Sequence, residues 1–302
     1  MKEIIHIGFP KTATTTLQDH VLASMPGVAN VGRPFDDAEH ATMVNALALE
    51  DDGDFDEARL GAHIARARDS DAQTLIYSDE TVTNSPIRTI AAKRLHRMMP
   101  NAEIVAVVRN QFDALESYYA GHGRQLRPAP APWGGRHVTF ENYLAYNLEN
   151  PRRGALPTFD YSSNLAIYAS LFGEDRIHVL TYEDLIQNRD AFFVSLARIL
   201  GIAPKNAKPK GELGRERARA DNGTIAYQAL RSRLLWGKPV SRFVPGHQHI
   251  RRIAIRMLSR GEKRAIEWPS ALRVRIADYY GDGNRTLAER HALPLSKFGY
   301  PM

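Results

Sequence analysis

Hydrophobic runs along the chain predict buried β-strands that alternate with helices. Residues 3–9 read EIIHIGF, an apolar and β-branched run interrupted by His6, as expected of a central strand buried on both faces. Residues 74–78, 103–108 and 176–181 form similar runs. Because helical segments separate the runs, we expect βαβ units and a mostly parallel sheet. The pattern therefore predicts an α/β fold, a three-layer sandwich around a central sheet.

Helices are predicted between these strands and at the end of the chain. The first begins in a threonine run directly after strand one, which makes a strand-loop-helix unit like that of P-loop proteins. Another ends at Gly201, a residue type common at helix C-caps. The predicted helices cover residues 14–22, from Pro86 to about 99, from Arg109 through Tyr119, 140–147, 190–200 and 269–289.

Two segments depart from this pattern. Residues 121–160 are rich in proline and glycine, and we interpret them as an insertion that forms a lid over the carboxyl edge of the sheet. Residues 205–221 are polar, charged and poor in large apolar residues, as is typical of a mobile surface loop. With 302 residues and 43% hydrophobic content, the chain suits one domain spanning residues 1–302.

The chain contains no cysteine, which excludes disulfides, thiolate metal sites and cysteine nucleophiles. Nothing in it requires an oxidising compartment, so we expect a cytoplasmic location. Residues 1–9 lack the basic and apolar regions of a signal peptide. No run approaches the roughly 20 apolar residues of a membrane span, and we expect a soluble protein without an anchor.

Basic side chains outnumber acidic ones by 40 to 34, which gives a net charge of +6 and favours anionic partners. A nucleotide and a nucleic acid are both such partners. The basic residues are spread through helices and are not interleaved with aromatic residues in a nucleic-acid-binding motif. We therefore interpret most of them as a solvated surface and expect no nucleic acid.

The strongest chemical signal is the loop at residues 8–16, GFPKTATTT, between a buried strand and a helix start. Backbone N–H groups at a helix N-terminus bind phosphate oxygens, and hydroxyls and a lysine add donors and charge. The loop differs from the nucleoside-triphosphatase P-loop because Lys11 precedes the threonines. The simpler alternative is that the threonines only cap a helix. The candidate phosphate-binding residues are Pro10, Lys11, Thr12, Ala13, Thr14, Thr15 and Thr16.

A second signal follows strand 103–108, where Arg109 is succeeded by a helix that carries Ser117 two turns along. A guanidinium and a hydroxyl in this arrangement can close on one phosphate. The alternative is an ion pair between Arg109 and Asp113 at a strand-helix junction.

Together the two elements resemble the sulfotransferase family that uses 3′-phosphoadenosine 5′-phosphosulfate (PAPS) and releases 3′-phosphoadenosine 5′-phosphate (PAP). The first is similar to the family's 5′-phosphosulfate loop, P-K-[ST]-G-T-T, and the second to its 3′-phosphate motif, R-N-P-x-D-x-x-x-S-x-Y. A weaker similarity extends through residues 182–185, YEDL, to Gly201. The resemblance implies that Lys11 holds the phosphosulfate, that Thr14 and Thr15 hold the 5′-phosphate, and that Arg109 and Ser117 hold the 3′-phosphate.

The sequence departs from the family pattern at two positions. Ala13 stands where glycine is usual, which is tolerable only if this backbone position does not need a positive φ. Gln111 stands where proline is usual, so the turn after Arg109 is expected to be less rigid. Neither change removes a ligand group.

Sulfuryl transfer needs a base that takes the acceptor's proton and a positive charge that stabilises the departing phosphate. Lys11 fits the second role. For the base, Glu80 at the end of strand 74–78 is the candidate. The resemblance implies this role, because family members that act on glycans and tyrosine use a glutamate as the base. Asp79 and His122 are the alternatives. The simpler interpretation is that either acid caps the next helix or pairs with Lys93 or Arg94.

The acceptor is less well indicated. A glutamate base and a basic surface favour a hydroxyl, or an amine, of a carbohydrate or lipid-linked sugar, and aromatic residues of segment 121–160 can stack on sugar rings or form a small core of their own. The family also closes its cofactor site with a basic C-terminal loop, for which Arg251 and Arg252 are candidates. The chemistry requires no metal.

Two other functions remain open at this point. A strand-loop-helix phosphate site is common to nucleotide-dependent phosphotransferases, which would need a magnesium-holding aspartate at a strand end, and Asp79 is the available one. A non-enzymatic nucleic-acid-binding protein would use the basic surface and bind with a steep dependence on salt.

Overall fold

The computed structural model describes residues 1–121, 138–152, 154–207 and 266–302, with residues 227, 230, 253, 254 and 257. Its strands are β1 (Lys2–His6), β2 (Val28–Asn30), β3 (Thr74–Ser78), β4 (Glu103–Val108) and β5 (Ile177–Thr181). Within the described residues they form one sheet in the order β2-β3-β1-β4-β5, and all neighbouring strands are parallel. The predicted α/β class and parallel sheet are confirmed.

The helices lie where the sequence pattern predicted them, with ends that differ by at most two residues, and the structure adds further helices. Gly201 has φ 69° and ends its helix in the left-handed conformation, as expected of a C-cap glycine. The α-helices of the described residues are α1 (Thr14–His20), α2 (Ala38–Leu49), α3 (Glu57–Arg68), α4 (Thr81–Asn84), α5 (Arg88–Met98), α6 (Gln111–Gly121), α7 (Phe140–Glu149), α8 (Tyr161–Phe172), α9 (Tyr182–Gln187), α10 (Arg189–Leu200) and α11 (Ser270–His291).

Two hydrophobic cores cover the two faces of the sheet and make the fold three-layered. Ile4 and Ile5 are neighbours on β1 and point to opposite faces, because side chains alternate along a strand. Ile5 belongs to the larger core, which includes apolar side chains of α2, α5, α8 and α11. Ile4 belongs to the smaller core with residues of α1, α9 and α10. Burial on both faces explains why the strands read as continuous apolar runs.

The direction in which the chain leaves the strands changes between the neighbouring strands β1 and β4. The chain leaves β1 toward β2 on one side of the sheet and leaves β4 toward β5 on the other. In open α/β sheets such a reversal is the usual ligand site, at the carboxyl ends of the strands. The two motifs singled out in the sequence, residues 8–16 and residues 109–117, follow these two strands.

Segment 121–160 is described only in part, since residues 122–137 and 153 lie outside the described residues. Its described portion contains α7 and a short 3-10 helix, Leu156–Phe159. Most of segment 205–221 also lies outside them. A lid role for the first segment, mobility of the second and the single-domain organisation therefore stay predictions. No helix within the described ranges has the length and apolarity of a membrane span.

Candidate active site

The loop after β1 turns through two residues in the left-handed conformation. Lys11 has φ 68° and Ala13 has φ 63°. The condition that position 13 does not need a positive φ is therefore not met. An L-residue other than glycine pays about 1–2 kcal/mol for this conformation, because its Cβ crowds the following carbonyl. The backbone thus follows the path that glycine would favour, although alanine occupies the position.

Two threonine hydroxyls hold the loop in shape. Thr12 Oγ1 and Thr14 Oγ1 donate hydrogen bonds to the carbonyl oxygen of Phe9 over 2.7 and 2.8 Å. Because a hydroxyl has one proton, neither side chain keeps a donor for a ligand in this arrangement. Thr15 and Thr16 are half-buried in the first turn of α1, where backbone N–H groups lack acceptors within the helix. The predicted phosphate contacts therefore fall on the backbone of this turn and on Lys11.

Gly8 allows three parts of the site to approach one another. A Cβ at this position would lie 2.3 Å from Thr14 Cγ2 and 3.0 Å from Glu80 Cβ. Both separations are shorter than a normal carbon-carbon contact. Glycine at this position therefore allows Glu80, the predicted base, to lie against the loop at residues 8–16.

Lys11 and Arg109 join the two predicted phosphate elements. Arg109 Nη1 donates a hydrogen bond to the carbonyl oxygen of Lys11 over 2.9 Å. Lys11 Nζ reaches the end of α6, 3.0 Å from where a Cβ on Gly121 would lie. Ser117 is half-buried about one helical turn before Gly121. The structure thus brings Lys11, Arg109 and the Ser117 helix to one edge of the sheet.

The Arg109 side chain is fixed on several sides. Its guanidinium lies 4.4 Å from the ring centroid of Tyr182, a cation-π contact. Its Nε is buried without a hydrogen-bond partner among the described residues. Within those residues it forms no ion pair with Asp113, whose side chain is exposed, so that simpler alternative is wrong. A buried donor without a partner is what an anion-binding guanidinium presents before its ligand arrives.

The turn after Arg109 is held by side chains from distant parts of the chain. Asn110 N–H donates to Glu183 Oε1 over 2.9 Å, and Asn110 Oδ1 accepts from the N–H of Phe112 at the start of α6. Gln111 is completely buried and exchanges two amide hydrogen bonds with Asn284 of α11, at 2.8 and 3.1 Å. The expectation of a less rigid turn is therefore wrong, because this pair fixes the turn in place of a proline ring.

The two acids at the end of β3 have different environments. Asp79 is fully buried, and its Oδ1 accepts from Thr81 N–H, from Thr81 Oγ1 and from Arg33 Nε. Burial raises the pKa of Asp79, and these hydrogen bonds and Arg33 act in the opposite direction. Glu80 is partly exposed at the start of α4, beside Gly8. Of the two, Glu80 is the one that solvent or a substrate can reach.

Asp79 therefore has a structural role at the start of α4, as the simpler interpretation proposed. The cation that pairs with it differs from the two that were predicted. Asp79 accepts the N–H of Thr81, the first residue of α4, and pairs with Arg33 at 3.2 Å, not with Lys93 or Arg94. Arg94 is fully buried and instead binds Asp52 and the carbonyl oxygens of Leu47 and Glu50. Because Arg33 neutralises Asp79, the carboxylate is poorly suited to the magnesium role that a phosphotransferase would require.

A comparison with protein families matches residues 3–205 to the model described as "Sulfotransferase family". The chain belongs to the sulfotransferase family. A crystal structure of a sulfotransferase from Alicyclobacillus acidocaldarius is similar in fold, with a TM-score of 0.55, 14% identity and coverage of 99% of this chain and 98% of that one. The mouse sulfotransferase SULT7A1, crystallised with PAP, aligns at a TM-score of 0.45 and 10% identity over 94% of this chain and 85% of that one. A comparison with curated protein sequences found no significant match.

Membership of the sulfotransferase family favours that activity over the two alternatives, a phosphotransferase and a nucleic-acid-binding protein. Some residues predicted for the site of this sulfotransferase lie outside the described residues. They are His122, an alternative base, and Arg251 and Arg252, the candidates for closing the cofactor site. The described residues hold no group of three or more histidines and acids arranged to bind a metal ion.

Sequence reasoning missed several residues that shape the sulfotransferase site. No motif includes Arg33, Asn284 or Tyr300. The weak YEDL similarity includes Tyr182 and Glu183 but indicated no role for them. One signal was available for the last two: they directly follow β5, whose carboxyl end shares an edge with β1 and β4.

Proposed function

We propose that the protein transfers the sulfuryl group of PAPS to a hydroxyl group of an acceptor. The observation that carries this proposal is the hydrogen bond from Arg109 to the carbonyl oxygen of Lys11. It places the cationic side chain that follows β4 against the phosphate loop that follows β1. A donor with one phosphate group at each end of its ribose needs two anion-binding elements at such a spacing.

The residues fit this donor. The first turn of α1, with Thr14, Thr15 and Thr16, and the Lys11 ammonium would hold the 5′-phosphosulfate. Arg109, with its unpartnered buried Nε, and Ser117 would hold the 3′-phosphate. Pro10, Thr12 and Ala13 shape the loop between them.

The chemistry assigns separate tasks to Glu80 and Lys11. The acceptor oxygen attacks sulfur in line and gives its proton to Glu80, while the bond between sulfur and the bridging phosphate oxygen breaks. PAP leaves with the electron pair of that bond, and Lys11 stabilises the added negative charge. Glu80 fits the role of base because it is partly exposed and lies against the loop, whereas Asp79 is buried and bound to Arg33.

We propose a carbohydrate or lipid-linked sugar as the acceptor, on the basis of the glutamate and the basic net charge. Stacking by aromatic residues of segment 121–160 does not add to this proposal. The described aromatic residues of that segment are buried in the core: Phe140, Tyr143, Tyr146 and Phe159.

Transfer of label from PAPS carrying sulfur-35 to a panel of polysaccharides, glycolipids and phenols tests the reaction. Wild-type protein should label at least one hydroxyl acceptor. Glu80→Gln should lower turnover by about 10²-fold or more, with PAP affinity nearly unchanged, because a general base contributes about 10²–10⁴-fold. Asp113→Asn, on the exposed side of α6, is the matched control and should retain activity. Full turnover in Glu80→Gln would place the base elsewhere.

A further inference from the structure

The carboxylate of Glu183 connects two segments that lie far apart in sequence. Its Oε1 accepts the backbone N–H of Asn110 over 2.9 Å, and its Oε2 accepts the hydroxyl of Tyr300 over 2.9 Å. Tyr300, near the end of the chain, is buried with 4% of its surface exposed, and Glu183 itself is half-buried. Both carboxylate oxygens are therefore used within the protein.

The neighbour of Glu183 contacts the predicted 3′-phosphate ligand directly. The ring of Tyr182 lies against the Arg109 guanidinium, with 4.4 Å between the guanidinium carbon and the ring centroid. The carbonyl oxygen of Arg109 also accepts a hydrogen bond, from the hydroxyl of Tyr161 over 2.8 Å. Glu183 thus links Asn110, which follows Arg109, to Tyr182, which packs on the Arg109 side chain.

The C-terminal tail makes further bonds to the same turn. Asn110 Nδ2 donates to the carbonyl oxygen of Phe298 over 2.9 Å. Asn284, which pairs with Gln111, also donates to the carbonyl oxygen of Pro301 over 2.7 Å. The three residues that begin at Arg109 are therefore held between α9 on one side and the end of the chain on the other.

We infer that Glu183 is a positioning residue for the recognition of the donor's 3′-phosphate, and that it acts by fixing the Arg109–Gln111 turn against the C-terminal tail. This inference rests on the proposed function. A guanidinium binds a phosphate well only when its direction is set in advance, since the ordering otherwise has to occur on binding. Removing the carboxylate leaves the N–H of Asn110 and the hydroxyl of Tyr300 without their acceptor.

The contribution of Glu183 as a hydrogen-bond acceptor can be separated from its charge. Glu183→Gln keeps a carbonyl oxygen for Asn110 and removes the negative charge near Arg109. Glu183→Ala removes both. If positioning is the role, the glutamine variant should behave much like wild type and the alanine variant should not.

The experiment is a calorimetric titration of the full chain with PAP and, by competition, with AMP, which lacks the 3′-phosphate. Glu183→Ala should weaken PAP binding by about tenfold, the effect of losing a hydrogen bond to a charged group, and change AMP binding by less than about twofold. Glu183→Gln should restore PAP affinity to within about threefold of wild type. Tyr300→Phe, a milder change, should weaken PAP alone, with Tyr279→Phe on α11 as its matched control.

Three results would overturn the inference. Unchanged PAP affinity in Glu183→Ala would show that the Arg109–Gln111 turn keeps its conformation without the carboxylate. Equal losses of affinity for PAP and AMP would show a merely structural role. Tighter PAP binding in Glu183→Gln would show that the charge, not the hydrogen bond, matters. Wild-type protein that binds PAP no more tightly than AMP would overturn the proposed function as well, so the two failures are distinguishable.

Discussion

Arg109 donates a hydrogen bond from Nη1 to the carbonyl oxygen of Lys11 over 2.9 Å, between the segments that follow β4 and β1. The bond links two motifs that are 98 residues apart in the chain. It also orients the carbonyl of a residue whose backbone is in the left-handed conformation. The shape of the phosphate loop and the direction of the arginine thus depend on each other.

The left-handed backbone at Ala13 predicts that Ala13→Gly stabilises the protein. Glycine removes the steric cost of φ 63°, and the greater freedom of the unfolded chain offsets part of the gain. We expect a net increase of about 0.5–1 kcal/mol in the free energy of unfolding, measured by urea denaturation. The control is Ala65→Gly in the exposed interior of α3, which should lower stability by about 1 kcal/mol. Equal destabilisation by both changes would contradict the strain at Ala13.

The close approach at Gly8 predicts that Gly8→Ala damages both stability and donor binding. The added methyl group overlaps Thr14 Cγ2 and crowds Glu80 Cβ, so the loop has to shift. We expect a loss of about 1–3 kcal/mol in the free energy of unfolding, typical of overpacking, with weaker PAP binding. Gly61→Ala is the matched control, because nothing lies within 4 Å of the Cβ it would add on α3. That variant should be about 1 kcal/mol more stable. A Gly8→Ala protein with wild-type stability and PAP affinity would refute the argument.

The buried histidine of β1 predicts a loss of stability in mild acid. Burial lowers the pKa of His6 to about 4. Its Nδ1 lies 2.8 Å from Ser78 Oγ, and its Nε2 is buried without a partner among the described residues. Since the unfolded chain binds the proton near pH 6.5, the contribution of neutral His6 is fully present above that pH and is lost as the pH falls toward 4.

Between pH 7 and pH 5 this group should account for about 2 kcal/mol of lost unfolding free energy. Urea denaturation of wild type and of His6→Gln at the two pH values measures the difference. The loss on acidification should be smaller in the variant by about that amount. Identical pH dependence in the two proteins would mean that His6 does not carry this linkage.

The sequence predicted those features of the fold and the site that depend on residues close together in the chain. The buried strands read as apolar runs because both faces of the sheet are covered, and residues 8–16 stood out because the order of lysine and threonines is specific. β2 was missed because it has only three half-buried residues, Val28–Asn30, too few to show a pattern. The first strand was predicted to reach residue 9 and ends at His6, since residues 7–9 already form the start of the loop.

Partners in the folded chain could not be predicted from sequence. Asp79 pairs with Arg33, 46 residues away, Gln111 with Asn284, 173 residues away, and Asn110 with Glu183, 73 residues away. No periodicity or motif relates such positions. For this reason the rigidity of the turn after Arg109 and the cation beside Asp79 were predicted incorrectly, whereas the residues of the two motifs were placed together at one edge of the sheet.

The most direct test of the account is a calorimetric comparison of PAP with ATP plus Mg²⁺ as ligands of the wild-type protein, Lys11→Ala and Arg109→Ala. The account predicts that wild type binds PAP at least tenfold more tightly than ATP, and that each variant loses most of this preference because one of the two phosphate elements is removed. Tight binding of ATP with magnesium and none of PAP would contradict it.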